Sequence, residues 1–236
     1  MIIKEEYYRI PLTFGIKNVE SNIKYAAKAN QPSYVCVVDI NVLANTYKDK
    51  RYKAIIQNAL FNTCDGSFLA FALNLKYRKR FSSYNGPEIF KKFIQDNSYK
   101  QLLIGPSKQD FQLLKENLHH SNHLFNITLP FQKVEDFNYP EISDKINTIK
   151  PDFIWIMLGA PKQELFIDNI IKLVDKGVFF GTGAALNFYF NRINNREFEI
   201  LGLRFIWLER IFLEPKKQLN RIFNFIKVLP RILLDA

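Results

Sequence analysis

The sequence predicts an α/β fold: a Rossmann-like, mostly parallel sheet flanked by helices, with a basic helical C-terminal appendage. Three observations carry this. Short β-branched or aromatic runs alternate with amphipathic helical stretches, the runs are almost continuously apolar, and the alternation stops near residue 195.

In chain order the strand candidates are YVCVVD at 34–39, QLLIG at 101–105, LFNIT at 124–128, FIWIML at 153–158 and VFFG at 178–181. The stretches 49–60, 87–97, 108–118 and 161–175 place apolar residues at i, i+3 and i+4, the spacing of one helix face. Repeated βα units of this kind imply parallel strands covered on both faces. Asp39, Gly105, Gly159 and Gly181 close four of the runs, so polar or flexible residues sit at the carboxyl ends, where open α/β sheets bind ligands. We therefore divide the chain into an α/β core, 1–195, and a helical appendage, 196–236, in which Phe205, Trp207, Phe212, Phe223 and Phe225 are interleaved with Arg and Lys.

Composition narrows the classes. A chain of 236 residues, 47% apolar and 24% charged, buries a substantial core and is not disordered. Its 33 basic against 23 acidic residues give a formal charge of +10, which favours anionic partners: nucleotide phosphates, an acidic membrane face or nucleic acid. No run of 18 apolar residues lacks a charge, so any membrane role is peripheral. Cys36 and Cys64 suit neither a disulfide framework nor a zinc site, and the opening MIIKEEYYR is no secretory leader, so a reducing, cytoplasmic setting is expected.

Four constellations hold candidate chemistry. In GAPKQELFI, Gly159 suits a tight turn and Pro161 a first helical position, which would aim the N–H groups of Lys162 and Gln163 outward. Such a corner holds a phosphate or sugar, assisted by the Lys162 charge, or is a plain helix start with Glu164 in its first turn. Asp65-Gly66 follows a short apolar segment and precedes an amphipathic helix, so Asp65 is either a general base at a strand-to-helix corner or a turn residue.

Gly181-Thr182-Gly183 after a strand is half of a dinucleotide fingerprint, with Leu186 where the third glycine would stand. That weakens hydride transfer and leaves room for a nucleotide's phosphates. His119, His120 and His123 cluster without an acid or cysteine beside them, and Asp39 to Asn41 supplies one carboxylate rather than an Asp-x-Asp clamp, so neither metal nor cofactor is expected. The appendage sets Arg204, Arg210, Lys216, Lys217, Arg221, Lys227 and Arg231 against Glu209, Glu214 and Asp235. It reads as an interfacial helix on anionic lipid, or as a helix packed on the core with a solvated basic face. No recognisable motif supports nucleic acid.

In order and spacing these pieces resemble the WecG/TagA/CpsF family of bacterial glycosyltransferases. The matching pieces are DG at 65–66, NGPEIF at 85–90, IG at 104–105, GAPKQELFI at 159–167, GTGAALNFYFN at 181–191 and WLERIFLEPKKQLNRI at 207–222. The resemblance covers the chain from about Val35, and its most specific piece is GAPKQE. It implies an inverting, metal-independent transferase that moves an N-acetylmannosamine-like sugar from a UDP donor to a sugar on undecaprenyl diphosphate, at the inner face of the cell membrane. It assigns Asp65 as general base, Gln163 and Glu164 beside the sugar nucleotide, and Arg210 and Arg221 as cations for the diphosphate.

Asp39 stands where the family has asparagine, with Asn41 the nearby alternative. Further departures are Ser83 for an arginine, Asn187 for an aspartate, Asn191 for a glycine, and Arg196-Glu197-Phe198 for Arg-Ala-Pro. They bear on the donor sugar and the acceptor. Exposed aromatics in the appendage also suit a second copy of the chain.

Overall fold

The computed structural model describes residues 1–65, 67–78, 80–118 and 121–192, the strand pairs 199–200 and 203–204, and positions 219, 223, 226, 227 and 230. An eight-stranded sheet forms from β1 (Glu5–Tyr7), β2 (Ile10–Thr13), β3 (Pro32–Val38), β4 (Phe61–Cys64), β5 (Gln101–Ile104), β6 (Leu124–Ile127), β7 (Phe153–Ile156) and β8 (Gly177–Gly181). Its spatial order is β1-β2-β4-β3-β8-β7-β5-β6, and all neighbours are parallel except the β1–β2 hairpin.

Alternation along each strand feeds two cores. On one face Val35, Leu103, Phe153, Trp155 and Phe180 lie under α1 (Ile16–Ala27), α5 (Gly86–Ile94), α6 (Lys108–Asn117) and α9 (Ala185–Tyr189). On the other, Cys36, Val38, Ile104, Ile154, Ile156 and Phe179 lie under α2 (Ile40–Thr46), α3 (Lys50–Asn58), α4 (Ser67–Tyr77), α7 (Tyr139–Ile149) and α8 (Lys162–Ile170). Both sides of β3, β5, β7 and β8 are thus dry, which is why these strands read as continuous apolar runs. Within the first core the indole N–H of Trp155 donates to Gln101 Oε1 at 2.9 Å, so its one polar group is satisfied.

Two strands lie outside the sequence expectation: β1, which carries Glu5 and Glu6, and β2, both short. β4, the short segment before Asp65, is buried yet holds Asn62 and Thr63, which break an apolar pattern. Asn62 is tolerated inside because its Nδ2 donates to the carbonyls of Pro11 and Ile56.

The appendage departs from the expected all-helical reading. β9 (Glu199–Ile200) and β10 (Leu203–Arg204) form an antiparallel pair, and β10 runs beside α4. Beyond this pair Leu219, Phe223, Ile226, Lys227 and Pro230 are helical, with Leu219, Phe223 and Ile226 exposed. Arg196, Arg210 and Arg221 lie outside the described residues, as do Gly66, His119, His120 and the 195/196 boundary. Among the described residues no helix is long and apolar enough to cross a membrane. Cys36 and Cys64 are buried and form no disulfide.

Candidate functional site

β3 and β8 are parallel neighbours whose following helices leave on opposite faces: α2 buries Val42 and Leu43 in one core, and α9 buries Ala185 and Leu186 in the other. Such divergence marks the place beyond their carboxyl ends where open α/β sheets form their ligand crevice. Four adjacent strand ends, β4, β3, β8 and β7, border it. At a strand spacing of about 4.8 Å they span roughly 14 Å.

β7 leads into the turn Gly159-Ala160-Pro161, with φ +76° at Gly159 and a cis peptide before Pro161. α8 starts at Lys162, so Pro161 is the N-cap rather than the first helical residue. The expected outward N–H groups are not all offered, because Gln163 N–H donates to Gly159 O at 3.0 Å. Lys162 does not reach over the crevice either. Its ammonium donates to the Gln132 carbonyl and lies 5.6 and 5.1 Å from the ring centres of Phe131 and Phe137, on the β6–α7 connection.

The polar pair beyond it turns inward. Gln163 is 5% and Glu164 0% exposed, so they form a buried wall rather than an outer lip. Gln163 lies across the glycines of the β8 loop: a Cβ on Gly181 would stand 2.7 Å from its Nε2 and 3.0 Å from its Cδ. At Gly183, with φ +54°, an added Cβ would stand 3.5 Å from Gln163 Oε1 and 3.6 Å from Gly159 Cα. No L side chain fits Gly181 without displacing Gln163. We predict that Gly181→Ala weakens nucleotide-sugar binding by roughly tenfold, about 1.4 kcal/mol, while changing the fold little. Isothermal titration against wild type checks this, and equal affinities would show that the Gln163 position does not matter.

Glu164 Oε1 accepts from Gln163 Nε2 at 2.7 Å. Burial pushes the Glu164 carboxyl up to about 7, opposed by donors from Gln163, its own N–H and the Tyr52 hydroxyl, with the Asp39 charge pushing the same way as burial. Tyr52, on α3, approaches Glu164 without reaching full hydrogen-bond geometry, and its hydroxyl and Glu164 Oε2 are both buried without a bond. Arg51, one residue earlier, ties α3 to α8 by bonds to Asp168 at 3.2 Å and Asn169 at 2.9 Å. The Cys36 thiol is pushed far above its usual value, first by burial and then by Glu164, which makes it inert packing.

Asp39 caps α2, its Oδ1 accepting from Val42 N–H at 2.7 Å, and half-buried Asn41 lies in that helix's first turn. Asp65 follows β4 and its N–H donates to Val38 O at 2.8 Å, so the two carboxylates end adjacent strands. Tyr84 N–H donates to Cys64 O, and a Cβ on Gly86 would lie 3.6 Å from the Val37 methyls and 3.8 Å from Thr182 Cα, which sets the start of α5 beside these strand ends from the other face. Ser83 is half-buried in the connection just before Tyr84.

The fold thus gathers Asp39, Asp65, Gly159, Gln163, Glu164, Gly181 and Gly183 on neighbouring strand ends. Asn187 is instead exposed on α9, accepting from Arg192, which also pairs with Asp110 at 2.6 Å. Sequence reasoning missed Tyr52 and Thr182. Thr182 is 7% exposed with an unbonded Oγ1, and only its place between two glycines hinted at it. Among the described residues no three His, Cys, Asp or Glu side chains group as metal ligands do.

The mostly parallel sheet flanked by helices places the protein in the α/β class, whose open sheets bind ligands beyond the strand carboxyl ends. Comparison with known proteins gives the particular kind. Residues 11–236 match the glycosyl transferase WecG/TagA/CpsF family, and the chain belongs to it. A protein of Bacillus subtilis named N-acetylglucosaminyldiphosphoundecaprenol N-acetyl-beta-D-mannosaminyltransferase is 21% identical over 191 residues, 77% of this chain and 72% of its own. Its namesake in Bacillus spizizenii is 20% identical over 199 residues, 80% of this chain and 74% of its own. An uncharacterized protein of Metamycoplasma hominis is 32% identical over 124 residues, 52% of this chain and 22% of its own.

Proposed function

We propose that this glycosyltransferase moves an N-acetylmannosamine-like sugar from a UDP donor to a sugar carried on undecaprenyl diphosphate, with inversion and without a metal, in the synthesis of a surface polysaccharide. One observation carries the reading: the Gln163–Glu164 wall, the Gly159, Gly181 and Gly183 turns, and Asp65 stand at the carboxyl ends of the four adjacent strands β4, β3, β8 and β7. The printed names of the Bacillus relatives support the acceptor and the sugar.

The crevice divides by chemistry. Glycine turns permit close backbone approach, which suits the donor sugar and diphosphate on the β7–β8 side. Asp65 on the β4 side takes the proton of the acceptor hydroxyl as that oxygen attacks the anomeric carbon. The anomeric C–O bond to UDP breaks on the opposite face, and the leaving diphosphate needs cations. Arg210 and Arg221, by their match to basic family positions, supply them in this reading.

The same reading places the enzyme at the anionic membrane face. Support comes from the +10 charge and from Leu219, Phe223 and Ile226, which are 59%, 58% and 57% exposed at helical spacing, with Lys227 4.3 Å above the Phe223 ring. Residues 196–236 then serve as the membrane-associating appendage of a catalytic core, 1–195.

A thermal-shift panel of nucleotides and nucleotide sugars tests the donor. UDP and a UDP-sugar should raise Tm, by about 2.7 kcal/mol of stabilisation at a hundredfold excess over Kd, while adenine and guanine nucleotides should not. No response to any uridine nucleotide would overturn the reading. Binding without turnover would favour the alternative, a basic α/β module that binds a nucleotide without catalysis.

A further inference from the structure

Gln163 Nε2 is committed to Glu164 Oε1 at 2.7 Å, so the amide oxygen is the end left over. That oxygen is buried, stands 3.5 Å from where a Cβ on Gly183 would lie, and has no hydrogen-bond partner. Thr182 Oγ1, on the same loop, is likewise buried and unbonded. Buried acceptors left empty are costly, so the pair fits a ligand that brings hydrogen-bond donors.

The groups facing Glu164 explain why the amide does not turn round. Tyr52 approaches from α3, Cys36 and Asp39 from β3 and its end, and Gln163 from its own turn, and no cation stands among these neighbours. Reversing the Gln163 amide would set carbonyl oxygen against carboxylate oxygen. The arrangement holds as long as Glu164 remains an acceptor, and the Tyr52 hydroxyl, the neighbouring donor on α3, favours that state.

Resting on the transferase reading above, we infer that Tyr52 and Glu164 are positioning residues that fix the polarity of the Gln163 amide, so that the donor sugar presents an O–H or N–H to the Gln163 and Thr182 oxygens. The site is then specific for a sugar with a hydroxyl or acetamido N–H at that position and rejects one in which the group is removed or methylated.

Tyr52→Phe tests this with one oxygen removed from a ring whose packing is kept. In the full chain, carboxyl-carbon NMR should show the Glu164 titration midpoint rise by about one unit, because a donor to its charged form is lost. An unmoved midpoint overturns the inference whatever the enzyme does. The acid limb of the kcat/KM profile should move up with it, and KM for the UDP-sugar should rise roughly 5- to 10-fold with UDP affinity unchanged. Glu164→Gln should abolish the limb.

Donor analogues each lacking one hydroxyl or the acetamido N–H supply the last arm. Wild type should discriminate against one of them by about tenfold, and both variants should lose that preference. Preference retained in both overturns the polarity assignment. A moved midpoint in a protein that binds no UDP would count against the transferase reading alone.

Discussion

Asp65→Asn is expected to lower transfer by about 10²- to 10⁴-fold, the contribution of a positioned general base, while UDP binds with about the wild-type affinity. The substitution keeps shape while removing the negative charge and the ability to take a proton. Its backbone setting should survive, since the Asp65 N–H bond to Val38 O does not involve the side chain. The following helix is also held from a distance: Phe14 stacks on Phe81 at 4.1 Å, Tyr7 meets Tyr77 and Phe81 edge-on, and Asn74 exchanges bonds with Phe81 across the end of α4. A loss of turnover with an unchanged melting curve therefore reports on chemistry. Single-turnover kinetics with a saturating acceptor, paired with UDP titration, separates the two steps, and undiminished turnover would remove Asp65 from the base role.

Glu164→Gln is expected to change how stability depends on pH. In the folded protein the Glu164 carboxyl titrates at about 7, above its ordinary value of 4.5, because burial penalises the charged form. Between those values the native state holds a proton that the unfolded chain has released. Stability from this group is therefore present below about 4.5 and is lost as pH rises through 7. Gln resembles the protonated acid and does not titrate. The variant should gain up to about 3 kcal/mol over wild type at pH 8 and little at pH 5, as the shift implies. Urea denaturation at several pH values measures it, and parallel pH profiles for the two proteins would contradict the account. The same variant should be catalytically poorer, the usual relation when a strained buried group serves a site.

Much of this architecture was legible because its causes are local. β5, β7 and β8 are buried on both faces, so each is an unbroken apolar run, and the glycines after them mark the ligand edge of the sheet. β4 was legible only as a short apolar segment before Asp65, because Asn62 and Thr63 interrupt its pattern and Asn62 Nδ2 finds its acceptor at the distant Pro11 carbonyl. The polar triplet after Pro161 was legible as a helix start but not in its orientation. A helix start predicts exposed polar side chains, whereas here the missing Cβ of Gly181 makes room for Gln163 to fold inward and Lys162 is drawn off by Phe131, Gln132 and Phe137. Tyr52 was hidden for a simpler reason: with Ile55 and Ile56 it completes the apolar stripe of α3, and nothing in a stripe shows that one hydroxyl approaches a buried carboxyl on α8.

The most direct measurement combines the full chain with anionic vesicles carrying a lipid-diphosphate-linked N-acetylglucosamine and UDP-N-acetylmannosamine, with mass analysis of the lipid product. The account predicts one added N-acetylhexosamine per lipid, with release of one UDP, persisting when a chelator is added. A lipid of unchanged mass, with wild-type protein that is folded and binds UDP, would contradict it.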